Sequence, residues 1–125
     1  EQKPENTFKV ACKPFSSIDD GSIDLLSIDI EGGEWYVIKH LQSRPAIISV
    51  ETHAKHYVNP FLKEILDWMA QEGYQIWYKD KSDTVFVHQK AFQPTASDRR
   101  RLFWQDMYLS WKRLKAKVKK VLLGR

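Results

Sequence analysis

The chain has 125 residues, a length for one domain at most. Its 42% apolar content, with five Trp, five Tyr and six Phe, excludes a disordered polymer, and a single cysteine, Cys12, excludes an internal disulfide framework or a zinc site built on cysteines. The net charge of +4 hides a division: residues 1–96 carry ten basic and fourteen acidic side chains, residues 97–125 ten and two, so body and tail are expected to do different work. No apolar run reaches the ~18 residues of a membrane span. The opening residues have no signal-peptide pattern, and with one cysteine the expected setting is cytoplasmic.

Residues 1–7 read as a loose polar end, and a start on Glu1 rather than Met points to a piece of a longer protein. Phe8, Val10 and Cys12 alternate with Lys9, Ala11 and Lys13, a weak strand stopped by Pro14. Residues 16–21 read as one helical turn or a plain turn. Ile23 to Ile30 is the first firm strand, apolar at most positions as expected for one covered on both faces. A helix opens at Gly33, buries Trp35, Val37, Ile38 and Leu41, and stops at Arg44-Pro45. Ala46 to Val50 is a second strand running into Glu51-Thr52-His53, and Ala54 to Val58 a loop. Asn59 caps a helix with Pro60 at its first position and Leu62, Ile65, Leu66 and Met69 on its buried side; Gly73 ends it. Tyr74–Lys79 and Thr84–His88 form a hairpin about Asp80-Lys81-Ser82-Asp83.

Strand, helix, strand, helix, hairpin is the pattern of an α/β sheet whose first two strands are parallel. It reads as the second half of a doubly wound sheet, with Ile23–Ile30 left as an open edge unless further strands or a partner cover it. Ligands in such sheets sit beyond the carboxyl ends of the strands. Those ends carry Asp29 and Glu31 on one strand and Glu51 and His53 on its neighbour; each pair is two residues apart and leans to one face. Three acids and an imidazole can tune one member to take a proton from a hydroxyl. The weaker alternative is a hard cation held by Asp29, Glu31 and Glu51. The plain alternative is helix capping by Glu31 or Glu34, because a helix N-terminus favours negative charge. Asp29 stands apart, since it lies inside the apolar run, where burial of a carboxylate is costly. His40 and His88 read as structural, and His56 and Tyr57 as parts of a polar loop. No glycine-rich phosphate loop is present.

The run Ile23-Asp24-Leu25-Leu26-Ser27-Ile28-Asp29-Ile30-Glu31-Gly32-Gly33-Glu34 resembles the central signature of the FkbM-type methyltransferases. The spacing to Arg44-Pro45, to Ile48-Ser49-Val50-Glu51-Thr52-His53 and to Gly73-Tyr74 fits the same family over about residues 8–90. The resemblance implies the carboxyl-terminal half of a class I, Rossmann-like methyltransferase sheet, S-adenosylmethionine as methyl donor, and O-methylation of a hydroxyl on a sugar, glycan or natural product. Asp29, Glu31, Glu34, Glu51 and His53 match the family's pattern; the expectation is that Asp29, Glu51 and His53 are catalytic, with Glu51 or His53 as the base, and that Glu31, Gly32 and Glu34 belong to the substrate and cofactor pocket. Ser27 departs from the family's usual Lys, and the strands that carry the cofactor's glycine-rich turn are absent, so this piece alone is expected to be inactive.

Residues 91–97, with Pro94, read as a linker, and 98–125 as a basic amphipathic helix. Trp104, Met107, Tyr108, Trp111, Leu114, Val118, Val121 and Leu122 recur at helical spacing among Arg and Lys. Residues 99–123 are expected to make peripheral membrane contact or to pack back on the acidic body; nucleic acid is the less favoured partner. The alternative to an enzyme is a non-catalytic interaction module that pairs through its open sheet edge and basic helix.

Overall fold

The computed structural model describes residues 8–54 and 57–123. Its four-stranded mixed sheet contains β1 (Leu25–Ile28), β2 (Ile47–Glu51), β5 (Tyr74–Lys79) and β6 (Asp83–His88), in the order β1-β2-β6-β5. A second, two-stranded sheet joins β3 (His53–Ala54) to β4 (Tyr57–Val58). β1 and β2 are parallel, and β6 lies antiparallel between β2 and β5. The architecture is α/β and compatible with a Rossmann-like fold.

Helix α1 (Glu34–Ile38) and helix α2 (Leu62–Gln71) supply Ile38, Ile65 and Met69 to the core, where they meet Ile28, Ile48, Val50, Tyr74 and Phe86. Ile48, Val50 and Phe86 alternate along their strands, so one sheet face carries this core. Helix α3 (Ala96–Leu123) packs on β5, and its Asp98 and Arg101 share a cleft with Trp77, Tyr78 and Val85. Val85 has the opposite parity to Phe86, which places α3 on the other face.

Several sequence expectations need correction. Residues 8–13 form no strand; Phe8 and Val10 are exposed, and none of the strands among the described residues pairs with this segment. β1 is four residues rather than eight, and Leu25 and Ser27 are exposed, so it is not covered on both faces. It lies at the sheet edge with no partner on its outer side among the described residues. The expected loop at 54–58 carries strands β3 and β4, while His56, residues 1–7 and the last two residues of the basic segment lie outside the described residues. Gly73 ends α2 as expected, with a positive φ of 82°.

α1 stops well before Arg44, and the N–H groups that follow it find a partner distant in sequence. The buried Asp19 carboxylate captures the N–H groups of Gln42 (2.6 Å) and Ser43 (2.9 Å), and accepts the Ser43 hydroxyl and the Gly21 N–H (3.1 Å). Desolvation pushes this carboxyl up, but the bonds from Ser43, Gly21 and Gln42 outweigh it and hold it down at about 2. The folded group therefore titrates below the unfolded one. Its stabilisation of about 2 kcal/mol is present above pH ~4 and lost as pH falls toward ~2. Urea midpoints measured across that window should show the loss in the native chain and a flatter profile in Asp19→Asn.

Candidate active site at the carboxyl ends of β1 and β2

β1 and β2 run in register, with Ile28 opposite Val50, so one further step brings Asp29 level with Glu51. Beyond Ile28 the chain reverses within four residues, and Gly33 N–H donates to Ile30 O at 3.3 Å. The two central residues, Glu31 (φ 54°) and Gly32 (φ 101°), are both left-handed. Glycine takes that conformation freely; glutamate does so at a cost of about 1–2 kcal/mol. A Cβ on Gly32 would lie 2.8 Å from the Tyr57 hydroxyl, so the absence of a side chain also lets β4 approach.

Glu34 holds this turn in place. It is fully buried; its Oε1 accepts the N–H groups of Ile30 and Gly32, each at 3.1 Å, and its Oε2 accepts Asn59 Nδ2 at 2.6 Å. Asn59, also buried, donates from the same Nδ2 to Glu51 O (3.2 Å) and accepts Phe61 N–H on Oδ1 (2.9 Å). Glu34 and Asn59 thus tie the turn after β1, the end of β2 and the entry to α2 into one unit. Asn59 caps the turn before α2, which begins at Leu62 rather than at Pro60.

Inside that frame two oxygens have no hydrogen-bond partner among the described residues: Glu51 Oε2 and Tyr57 Oη, both buried. Desolvation raises the Glu51 carboxyl, and the negative charges of Asp29, Glu31, Glu34 and Asp83 raise it further. Asp83 is opposite Glu51 in the β2–β6 register. Burial likewise raises the Tyr57 hydroxyl, with Glu34, Glu51 and Glu31 adding to it. The site sets a carboxylate whose protonation is favoured and a neutral phenol in the field of several acids.

The sequence-predicted residues divide. Glu51 lies at the centre, with Glu31 and Asp29 within its electrostatic reach. Asp29, expected to be buried in an apolar strand, is exposed, because β1 ends one residue earlier. The buried carboxylate of this motif is instead Glu34, which works as a structural clamp. His53 has different neighbours: burial, then Arg113 and Lys79, lower its ring to about 4, against an opposing pull from Asp106. The N–H groups of Thr52 and His53 both donate to Ser82 O (2.9 and 3.0 Å). Such a bulge interrupts the two-residue alternation that the spacing of Glu51 and His53 assumes. Among the described residues no three His, Cys, Asp or Glu side chains are grouped so as to hold a metal ion.

Because the His53 ring charges more readily in the unfolded chain, near pH 6.5, than in the folded one, its neutral form favours folding. That stabilisation is complete above pH ~6.5 and declines toward pH ~4, by about 1–3 kcal/mol for a half-buried ring. His53→Gln should remove the decline in this window while leaving the later loss from Asp19; thermal midpoints at successive pH values separate the two.

Tyr57 and Asn59 are the site residues that local sequence reasoning did not place. Asn59 is visible as a cap, but its bonds to Glu34 and Glu51 join residues 25 and 8 positions apart. Residues 1–76 match a family model described as the methyltransferase FkbM domain. Comparisons with curated proteins and with solved structures give no match. With more than half of its length matched, and with the signature Asp29-Ile30-Glu31-Gly32-Gly33-Glu34 forming the turn that frames Glu51, the chain belongs to the FkbM methyltransferase domain family.

Proposed function

We propose that this chain supplies the acceptor side of an S-adenosylmethionine-dependent O-methyltransferase, acting on a hydroxyl of a sugar, glycan or natural product. The observation that carries the reading is the pair of buried, unpartnered oxygens, Glu51 Oε2 and Tyr57 Oη, at the carboxyl ends of parallel strands. A carboxylate raised by burial and by like charges is a better base near neutral pH than an ordinary one. Glu51 accepts the acceptor's hydroxyl proton, and Tyr57 Oη orients the acceptor oxygen by hydrogen bonding. Asp29 and Glu31 add a negative field beside Glu51, which suits a cationic donor. S-adenosylmethionine, when bound, supplies an electrophilic methyl group on a sulfonium. His53, in a cationic setting, is the less favoured base. The open edge of β1 is where the strands of a Rossmann-like sheet that complete the cofactor site would pair.

The test is methyl transfer by the native protein from labelled S-adenosylmethionine to a panel of hydroxyl acceptors. Glu51→Gln should lower turnover by about 10²–10⁴-fold. It should not lower stability, because a raised carboxyl opposes folding once ionised, at pH above its folded value. Unchanged turnover in Glu51→Gln would remove this site from the chemistry. The second reading, an interaction module, draws on the same open β1 edge. Calorimetric titration distinguishes it: no uptake of S-adenosylmethionine either by this chain or by a longer form extended upstream of Glu1 would favour the module.

A further inference from the structure

Helix α3 has two faces with different fates. Leu102, Gln105, Asp106 and Leu109 are half-buried against the body, and Lys79 Nζ pairs with Asp106 Oδ1 at 2.8 Å. From Ser110 to Leu122 every described side chain is exposed. At about 100° per residue the packed residues lie on one side of the helix, while Trp104, Met107, Trp111, Leu114, Val118 and Leu122 lie on the other. All six are roughly half exposed or more. The apolar stripe therefore points away from the protein, the reverse of a helix that folds back on its own domain.

Three observations bear on what covers it. Between Met107 and Leu122 the sequence carries six basic residues and no acidic one. Lys112 lies over the Tyr108 ring (4.7 Å) and Lys115 over Trp111 (3.6 Å), so ammonium groups flank the aromatic part of the stripe. The exposed stretch is also too short to be a robust helix in water unaided. A second copy docked on the stripe would bring two uniformly positive flanks together. A nucleic acid would meet the charge but leave Leu114, Val118 and Leu122 in water. An anionic bilayer surface satisfies both: the apolar face enters the headgroup region, the lysines reach up to phosphates, and Trp favours the interface. No helix among the described residues is long and apolar enough to cross a membrane, so the contact is lateral.

We infer that the exposed face of α3, centred on Trp111, Leu114 and Val118, docks on an anionic lipid surface. This docking does not depend on the methyl-transfer reading. It has a geometric consequence for that reading, because Asp106 and Arg113 of α3 act on His53, just beyond β2. The helix therefore passes the rim that carries Glu51, and docking would hold that rim near headgroups.

The test is flotation of the native protein with phosphatidylcholine vesicles, with and without roughly a third phosphatidylglycerol. Binding is expected to the anionic vesicles alone and to weaken with salt. Leu114→Gln with Val118→Gln, both exposed helix-compatible changes, should weaken it about tenfold or more, as should Lys112→Gln with Lys115→Gln. Equal binding to both vesicles, or anionic binding untouched by the Leu114 and Val118 changes, would overturn the inference. So would a dimer in solution that those changes dissolve without any vesicle binding, or duplex DNA binding that they leave intact.

Discussion

Glu34→Ala should destabilise the fold by about 3–5 kcal/mol, the largest effect of any single change outside the apolar core. The substitution removes the acceptor of three donors at once: the N–H groups of Ile30 and Gly32 and the Nδ2 of Asn59. The Asn59 amide is buried and would lose its partner without regaining one, while the two N–H groups at the part-buried turn would regain one only in part. The left-handed Glu31 depends on the same clamp, which acts beside the 3.3 Å bond from Gly33 N–H to Ile30 O. Glu34→Gln separates charge from shape. Its amide oxygen can still accept the two backbone N–H groups, but its NH₂ would confront Asn59 Nδ2, for a cost of about 1–3 kcal/mol. Urea unfolding of the three proteins decides the matter; a loss below about 1 kcal/mol in Glu34→Ala would mean the clamp is ornamental.

Gly32→Ala should act on both stability and chemistry. Its φ of 101° is a conformation that an L side chain rarely adopts, and the new Cβ would meet Tyr57 Oη at 2.8 Å. Relief requires Tyr57 to tilt away from Glu51. The expected stability loss is about 1–3 kcal/mol, and a displaced acceptor-orienting hydroxyl should lower methyl transfer by up to about 10²-fold. Gly21→Ala is the control: Gly21 also has a positive φ, 87°, but an added Cβ meets nothing within 4 Å. Equal effects in the two variants would assign the cost to the backbone alone and release Tyr57 from its proposed role.

The elements of this chain are legible because each is dictated by neighbours in sequence. The apolar run around Leu25–Ile28, the Pro60 and Gly73 punctuation of α2, and the Asp80–Asp83 reversal are local signals, and the six main elements β1, α1, β2, α2, β5 and β6 form near where those signals put them. The signature acids could likewise be singled out from sequence, because carboxylates at a strand end are conspicuous by type. Their burial could not. Asp29 and Glu34 differ by five positions, and which one is enclosed depends on where β1 stops and on Asn59 arriving from 25 residues away. The alternation of Phe8, Val10 and Cys12 is a strand pattern that forms no strand, since a strand exists only where another pairs with it and none of the described strands pairs with these residues.

Local sequence, then, determined the order and type of the main elements between residues 25 and 88 and the amphipathic character of the tail, which rest on periodicities of two or 3.6 residues, and it carries the family signature as a resemblance of residue types and spacing. Tertiary structure alone decided the rest. The bulge at Thr52 and His53 gave His53 cationic neighbours and left Glu51 among acids. Packing of Leu102 and Leu109 on the body turned the aromatic side of α3 outward. Exposure and electrostatic environment are properties of contacts between residues distant in the chain, and no window of adjacent residues contains them.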